Sequence, residues 1–99
     1  MLKKLILTPQ AEKDLDDAYD WYESKGLGLG KEFARCVDVK ITSLIRAPKQ
    51  HQVVYKSNIR RVLVNRFPFS VYYVELKDVI SVFVILHQHR NPKAWKSRV

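Results

Sequence analysis

Three glycines in alternate positions, in Gly26-Leu27-Gly28-Leu29-Gly30, separate two stretches of the chain that have helical periodicity. The first stretch follows Thr8 and Pro9, which are typical of a helix N-cap and a first helical turn. The second stretch covers residues 29–46 and is ended by Pro48. Because the loop between them is short, the two helices are expected to pack antiparallel. Their apolar stripes consist of Ala11, Leu15, Ala18 and Tyr22 and of Phe33, Val37, Ile41, Leu44 and Ile45.

Strand-like patterns lie on both sides of these helices. The predicted strands cover residues 2–7, 52–56, 59–67, 70–76 and 79–87. The sequence therefore predicts one α+β domain over residues 1–99, with an N-terminal strand, a two-helix antiparallel hairpin and a three- to four-stranded antiparallel sheet. The helices are expected on one face of the sheet, and the basic side chains on its other face and rim.

The excess of positive charge lies entirely in the second half of the chain. The net charge is +8. Residues 1–47 contain eight Lys or Arg and eight Asp or Glu, whereas residues 48–99 contain ten Lys or Arg and only two Asp or Glu. A charge distribution this one-sided favours an acidic protein, nucleic acid or an anionic surface as partner. Basic residues that only keep the protein soluble would not need to be segregated.

Membrane, secretory and cofactor roles are not expected. No apolar run approaches the roughly 20 residues that cross a bilayer, and the N-terminal run stops at Thr8-Pro9. The single cysteine, Cys36, is expected in the core of a cytoplasmic protein. The glycine loop lacks the spacing of a phosphate-binding loop, and the three histidines form no metal-binding motif, so neither a cofactor nor a metal is predicted.

Among catalytic reactions, cleavage of a phosphodiester fits the residues of the basic half best. Cleavage of RNA by its own 2′-OH needs a general base, a general acid and cations near the phosphate. The candidate catalytic residues are Arg60, Arg61, His87 and Arg90, which converge if their strands are neighbours. Alternatively, the arginines bind carboxylates of a partner and His87 is structural. On the residues alone this alternative is favoured, because no acidic side chain in this half is placed to act as a base.

The candidate residues for binding a partner or nucleic acid form a larger set in the basic half. They are Lys56, Arg60, Arg61, Arg66, His89, Arg90, Lys93 and Trp95. Arg60 and Arg66 are predicted to share one face of the 59–67 strand, whereas Arg61 and Arg66 point to opposite faces.

Several segments, in their order along the chain, resemble RelE/ParE-type toxins. The segment from Ala11 to Tyr22, the glycine loop and Phe33 resemble the family's helical hairpin. The later segments that match are Pro48, Arg60-Arg61-Val62-Leu63-Val64, Phe69-Ser70-Val71-Tyr72-Tyr73-Val74, Val82-Phe83-Val84-Ile85-Leu86-His87, Arg90-Asn91-Pro92 and Trp95. The resemblance extends over about residues 5–95, and Trp21-Tyr22 before the glycine loop is more similar to the ParE branch.

The resemblance implies a toxin of a type II toxin–antitoxin module, which halts bacterial growth until an acidic cognate antitoxin covers it. ParE-like members inhibit DNA gyrase, and this target is favoured. RelE-like members cleave mRNA on the ribosome. In that alternative the chain is a metal-independent endoribonuclease, with His87 as acid or base and Arg60, Arg61 and Arg90 holding phosphate. A non-toxic nucleic-acid-binding or degenerate family member is the third possibility.

Overall fold

The structure, a computed structural model, describes residues 3–90 and 93–98. Its elements are β1 (Lys4–Leu7), α1 (Pro9–Lys25), α2 (Leu29–Ser43), β2 (Val53–Tyr55), β3 (Ile59–Leu63), β4 (Phe69–Glu75), β5 (Val79–His87) and α3 (Lys93–Lys96). This order confirms the predicted strand, helix hairpin and sheet. No helix in the described part of the chain is long and apolar enough to cross a membrane.

The strands form one five-stranded sheet in the order β1-β5-β4-β3-β2. The strands β2 to β5 are antiparallel neighbours, which confirms the predicted antiparallel sheet. The N-terminal strand β1 adds a fifth, because it pairs in parallel with β5 over Lys4–Leu7 and Val79–Val82. A parallel pair needs a long crossover connection, and the helix hairpin and the three intervening strands provide it.

The helix hairpin is held together at its turn. The Thr8 hydroxyl accepts a hydrogen bond from the Ala11 amide at 3.2 Å, as a helix N-cap should. At the other end of α1 the Glu23 carboxylate accepts from the amides of Gly28 and Gly30, both at 2.9 Å. Gly28 has a φ of 83°, which favours glycine. These bonds fix the antiparallel hairpin that the short loop predicts.

Helix α2 ends at Ser43, so the predicted end at Arg46 is wrong by three residues. The amides of Leu44, Ile45 and Arg46 bond to carbonyls three residues earlier. The chain therefore tightens into turns ahead of Pro48, as is common at a helix C-terminus.

The main core lies between the hairpin and one face of the sheet, here called the helix-side face. Phe33 is fully buried, and its ring lies 4.8 Å from that of Phe69 and 5.0 Å from that of Tyr22. Cys36 is buried, as predicted. The sheet contributes mainly aliphatic side chains, among them Val71, Ile80, Val82 and Ile85.

A second, smaller core covers the opposite face of the sheet. The single-turn helix α3 places Trp95 there, with its ring 4.5 Å from Tyr72 and 5.4 Å from Tyr55. Trp95 is only 2% exposed. Its predicted role as a partner-binding residue is therefore wrong, because the ring fills the apolar surface left by β2 to β5.

The β3–β4 connection is longer than predicted. Strand β3 ends at Leu63 rather than at residue 67, and the Val64 amide bonds to the Phe69 carbonyl across the turn. Arg66 lies in this turn with a φ of 73°. The prediction that Arg60 and Arg66 share a face of one strand is consequently wrong.

Candidate functional site

Two clefts lie near the end of β5. The first, here called the helix cleft, has a volume of about 420 Å³ and lies between α1 and the ends of β4 and β5. Its lining residues are Asp14, Asp17, Ala18, Trp21, Phe69, Ile85, Leu86, His87 and Arg90. The second, here called the face cleft, has a volume of about 280 Å³ on the other side of the sheet. It is lined by Arg61, Leu63, Ser70, Tyr72, Gln88 and Arg90, so that Arg90 belongs to both.

His87 lies at the helix-cleft side of the sheet end. It pairs with Phe69 across the strands, and the two rings are 5.3 Å apart. The His87 Nδ1 accepts a hydrogen bond from the His89 amide at 3.1 Å. A neutral ring in this position carries its proton on Nε2, so that this nitrogen is the one able to donate.

Arg60 and Arg61 are separated by the sheet. Arg60 pairs with Tyr73 on the helix-side face, whereas Arg61 pairs with Tyr72 on the opposite face. The Arg60 guanidinium donates to the carbonyls of His51 at 2.6 Å and Lys49 at 3.2 Å. Arg60 thus holds the loop before β2. The predicted convergence of all four catalytic candidates is wrong, because strand alternation turns Arg60 away from Arg61.

The remaining candidates are dispersed. Arg66 pairs with Glu32 of α2 at 2.7 Å, and hydrogen bonds from Arg35 and Arg66 lower the pKa of Glu32. Lys56 lies in the β2–β3 turn with its ammonium 5.7 Å from the centre of the Tyr55 ring. His89 is exposed next to His87, at 5.2 Å between ring centres. Lys93 begins α3, and Asn91-Pro92 of the resemblance lie outside the described residues.

An ion pair that the sequence patterns do not reveal includes one of the residues that line the helix cleft, Asp14. Asp14 of α1 bonds to the Arg98 guanidinium at 2.7 Å and 3.2 Å and accepts from the Ile85 amide at 3.1 Å. Arg98 also donates to the Phe83 carbonyl at 3.0 Å. The pairing of β1 with β5 stops at Val82. Asp14 and Arg98 therefore satisfy the edge of β5 beyond the end of β1.

The exposed aromatic of the helix cleft is Trp21. This side chain is 57% exposed, although its neighbour Tyr22 is buried. The Lys25 ammonium lies 5.1 Å from the centre of the Trp21 ring. Tryptophan is enriched at protein interfaces, so this exposed indole is a candidate contact for a partner.

Metal ligands do not gather in the described residues, where no group of three or more His, Cys, Asp or Glu side chains is suited to hold an ion. The pKa of His51 is lowered by burial and by the nearby charges of Lys40 and Arg60. The absence of a metal or cofactor in function stays a prediction.

The fold is that of a known class of small bacterial toxins. One similar structure is the chromosomal ParDE system of P. aeruginosa, with a TM-score of 0.77, 21% identity, and 87% of this chain and 96% of that chain covered. Another is the isolated E. coli RelE toxin, with a TM-score of 0.64, 11% identity, and 97% and 95% covered. A mutant of E. coli RelE in the free state has a TM-score of 0.65 and 12% identity, with 90% and 86% covered.

The amino-acid sequence shows to which branch of this class the chain belongs. The family model described as the ParE toxin of the type II toxin–antitoxin system parDE matches residues 5–92. The chain therefore belongs to the ParE toxin family, which confirms the resemblance and its favoured branch. No curated protein sequence matched the chain.

Proposed function

We propose that this chain inhibits bacterial growth by acting on DNA gyrase and that a cognate antitoxin neutralises it. Membership of the ParE toxin family supports the toxin role. The observation that carries the choice of target is the separation of the candidate catalytic groups. Arg61 lines the face cleft, His87 lines the helix cleft, and Arg60 is bonded to backbone carbonyls.

Separated groups are poorly suited to cleave RNA. In-line attack of a 2′-OH requires the base, the acid and the cations around a single phosphate, within hydrogen-bond reach. A phosphate held by Arg61 would lie on the opposite side of the sheet from His87. This arrangement favours a toxin that acts by binding a protein over one that acts as a nuclease.

An antitoxin as partner is supported by charge and by the type of system to which the family belongs. The chain carries a net charge of +8, and an acidic antitoxin segment complements it. The P. aeruginosa relative is described as a ParDE toxin–antitoxin system. Gyrase and antitoxin both meet the toxin in the cytoplasm under this proposal.

A growth assay tests the toxin role. Induced expression of the chain should arrest growth, and co-expression of the small protein encoded next to it should restore growth. Cells that carry the empty vector or express only the neighbouring protein are the controls. Normal growth of cells that accumulate soluble wild-type protein contradicts the proposal.

Cleavage of mRNA is the second candidate because of the face cleft. Arg61 and Arg90 line it together with the polar side chains of Ser70, Tyr72 and Gln88, a set able to hold a phosphate. If the chain is a nuclease, Arg61→Ala and His87→Ala should remove toxicity but preserve the fold and antitoxin binding. Mapping of mRNA ends in arrested cells tests the nuclease candidate, because an unchanged cleavage pattern excludes it.

A non-toxic role in binding nucleic acid is tested separately. Counterion release predicts that the affinity for an oligonucleotide falls steeply as salt is raised. Absence of binding at low salt removes this third candidate.

A further inference from the structure

Two lysines from distant parts of the chain meet over one tyrosine on the face of the sheet opposite the helix hairpin, here called the far face. Lys56 follows β2, and Lys96 ends α3. Their ammonium groups lie 5.7 Å and 4.8 Å from the centre of the Tyr55 ring. The ring is itself held in place, because it packs edge-on against the buried Trp95 ring at 5.4 Å. We call Tyr55, Lys56 and Lys96 the lysine site.

The positive charge of the lysine site has no counter-charge nearby. Eight of the ten acidic side chains lie on α1 and α2, and no Asp or Glu occurs in β2, β3, β5 or α3. Among the residues that the structure describes, neither Lys56 nor Lys96 has a carboxylate within 4.0 Å. Because both ammonium groups approach the same ring, they lie within roughly a Debye length of each other and repel. An anion from outside the chain would offset this repulsion.

The backbone at Lys56 adds a second observation. This residue has a φ of 51°, in the left-handed region that Gly and Asn adopt with less strain. In return for the strain, the exposed side chain gains only the contact with Tyr55. Strained residues are concentrated at functional sites. A ligand from outside the chain accounts for a charged side chain at this position.

The lysine site suits a phosphate backbone better than an acidic protein segment. Lysine binds phosphate as a point charge and needs no fixed pairing geometry. A protein segment, by contrast, is anchored mainly by side chains that fill a pocket. None of the three residues of the lysine site lines either cleft. Exposed ammonium groups without a pocket are the kind of contact that positions a protein on nucleic acid.

We propose that the lysine site binds the phosphate backbone of the DNA on which gyrase acts. The proposal rests on the proposed function, since DNA is the substrate of that target. The helix hairpin covers the other face of the sheet, so the chain can contact a protein and DNA at the same time. Phosphate contacts do not read the bases, so the binding is independent of DNA sequence.

Fluorescence anisotropy of a short labelled DNA duplex, titrated with the purified chain in the absence of gyrase, tests the site. The double variant Lys56→Ala with Lys96→Ala should bind about tenfold or more weakly at low salt. Its plot of log affinity against log salt should also be shallower by about two, because two phosphate contacts are lost. The matched control is Lys31→Ala with Arg46→Ala, which removes the same charge from exposed positions on α2 and in the turn after it. The control should keep the wild-type affinity and slope.

Lys56→Asn separates binding from stability. Asparagine tolerates the left-handed conformation, so this variant should unfold at the same urea concentration as the wild type or at a higher one. It should nevertheless bind the duplex more weakly. Wild-type affinity of Lys56→Asn would contradict a phosphate contact at this residue.

The supercoiling assay connects the lysine site to gyrase. Several-fold more of the Lys56→Ala and Lys96→Ala double variant than of the wild type or the control should be needed for the same inhibition. Equal inhibition by all three proteins overturns the proposal but leaves the proposed function standing. Wild-type protein that binds DNA through the lysine site but leaves supercoiling unchanged contradicts the proposed function instead.

The binding assay has three outcomes that overturn the proposal without gyrase. The first is equal weakening in the double variant and its control, which assigns the attraction to the net charge. The second is no binding of the wild type to the duplex at low salt. The third is tighter binding of RNA of the same sequence that the double variant loses, which assigns the lysine site to RNA.

Discussion

Single residues decide which functional groups can meet at the site. Arg60 and Arg61 are adjacent in sequence, but the two-residue repeat of β3 places them on opposite faces of the sheet. Arg60 then finds the carbonyls of Lys49 and His51, which accept its hydrogen bonds. Arg60 and Arg61 look like one phosphate-binding pair in the sequence. In the structure, Arg60 instead holds the loop before β2, and Arg61 lies on the other face of the sheet. Two other single residues act in a similar way. Gly30 lies close to α1 in the helix hairpin, and Tyr73 bonds to the loop before β2.

Gly30→Ala should destabilise the hairpin, because its Cβ would lie 2.8 Å from the Tyr19 carbonyl oxygen and 3.0 Å from Glu23 Oε1. Since the Tyr19 oxygen belongs to a helix backbone, the two helices must move apart. We expect a loss of about 1–3 kcal/mol in the free energy of unfolding, measured by urea denaturation. Gly26→Ala is the control, because its Cβ would have only ordinary contacts with Leu29 at 3.9 Å. Equal stability of the two variants would contradict the close approach.

Tyr73 should make the fold sensitive to alkaline pH. Burial, with Glu75 adding to it and Arg60 opposing, raises the pKa of Tyr73 to about 12. In the unfolded chain a tyrosine titrates near 10, so between these pH values only the unfolded state loses the proton. The free energy of unfolding therefore falls by about 2–3 kcal/mol as the pH rises through this range.

Tyr73→Phe isolates this contribution. The variant removes the hydrogen bond from the Tyr73 hydroxyl to the Pro48 carbonyl at 2.6 Å and should cost about 1 kcal/mol at neutral pH. It should also lose part of the alkaline decline. Burial also raises the pKa of Tyr22, but that group is present in both proteins and cancels in the comparison. Parallel stability curves for wild type and variant between pH 9 and about 12 would count against the assignment to Tyr73.

Whole elements could be predicted where local patterns determine them. The helix hairpin follows from its apolar stripes, the cap at Thr8 and the glycine loop, and β5 follows from its run of β-branched residues. The parallel pairing of β1 with β5 and the docking of α3 could not be predicted in this way, because their partners are distant in the chain. Asp14 and Arg98, for example, are 84 residues apart. The candidate site was predicted in part, since Arg61, His87 and Arg90 do line the two clefts and Arg60 does not.

The Asp14–Arg98 pair should be coupled more strongly than a surface ion pair. The two side chains are 16% and 24% exposed and also bond to the β5 backbone. A double-mutant cycle of Asp14→Ala and Arg98→Ala, measured by urea denaturation, should give a coupling energy of about 1–2 kcal/mol. The control cycle on Lys13 and Asp17, which are 75% and 67% exposed, should give less than about 0.5 kcal/mol. Equal coupling in the two cycles would contradict a structural role for Arg98.

Across the whole molecule, several arginines of the basic half are already paired within the chain. Arg60, Arg66 and Arg98 are occupied by partners within the chain, so they add little attraction for an outside one. Arg61 and Arg90 have no carboxylate partner among the described residues. Arg61 lines the face cleft, and Arg90 lines both clefts at the end of the sheet. At the end of the sheet, the positive charge that remains for an outside partner is therefore carried by Arg61 and Arg90.

Antitoxin association should consequently depend on salt through Arg61 and Arg90. Raising the ionic strength should slow association with the wild type, because screening weakens the attraction of Arg61 and Arg90 for an acidic segment. The salt dependence should be smaller for Arg90→Glu than for Arg46→Glu, as measured by stopped-flow mixing. The same salt dependence in both variants would place the attraction elsewhere on the surface.

Inhibition of purified DNA gyrase by the purified chain tests the central claim most directly. Supercoiling of relaxed plasmid should fall as the wild-type chain is added and should recover when the antitoxin is supplied in excess. Arg61→Ala and His87→Ala should inhibit as the wild type does, because a gyrase-directed toxin needs no RNA-cleaving groups. Unchanged supercoiling at chain concentrations that saturate the antitoxin would contradict the account.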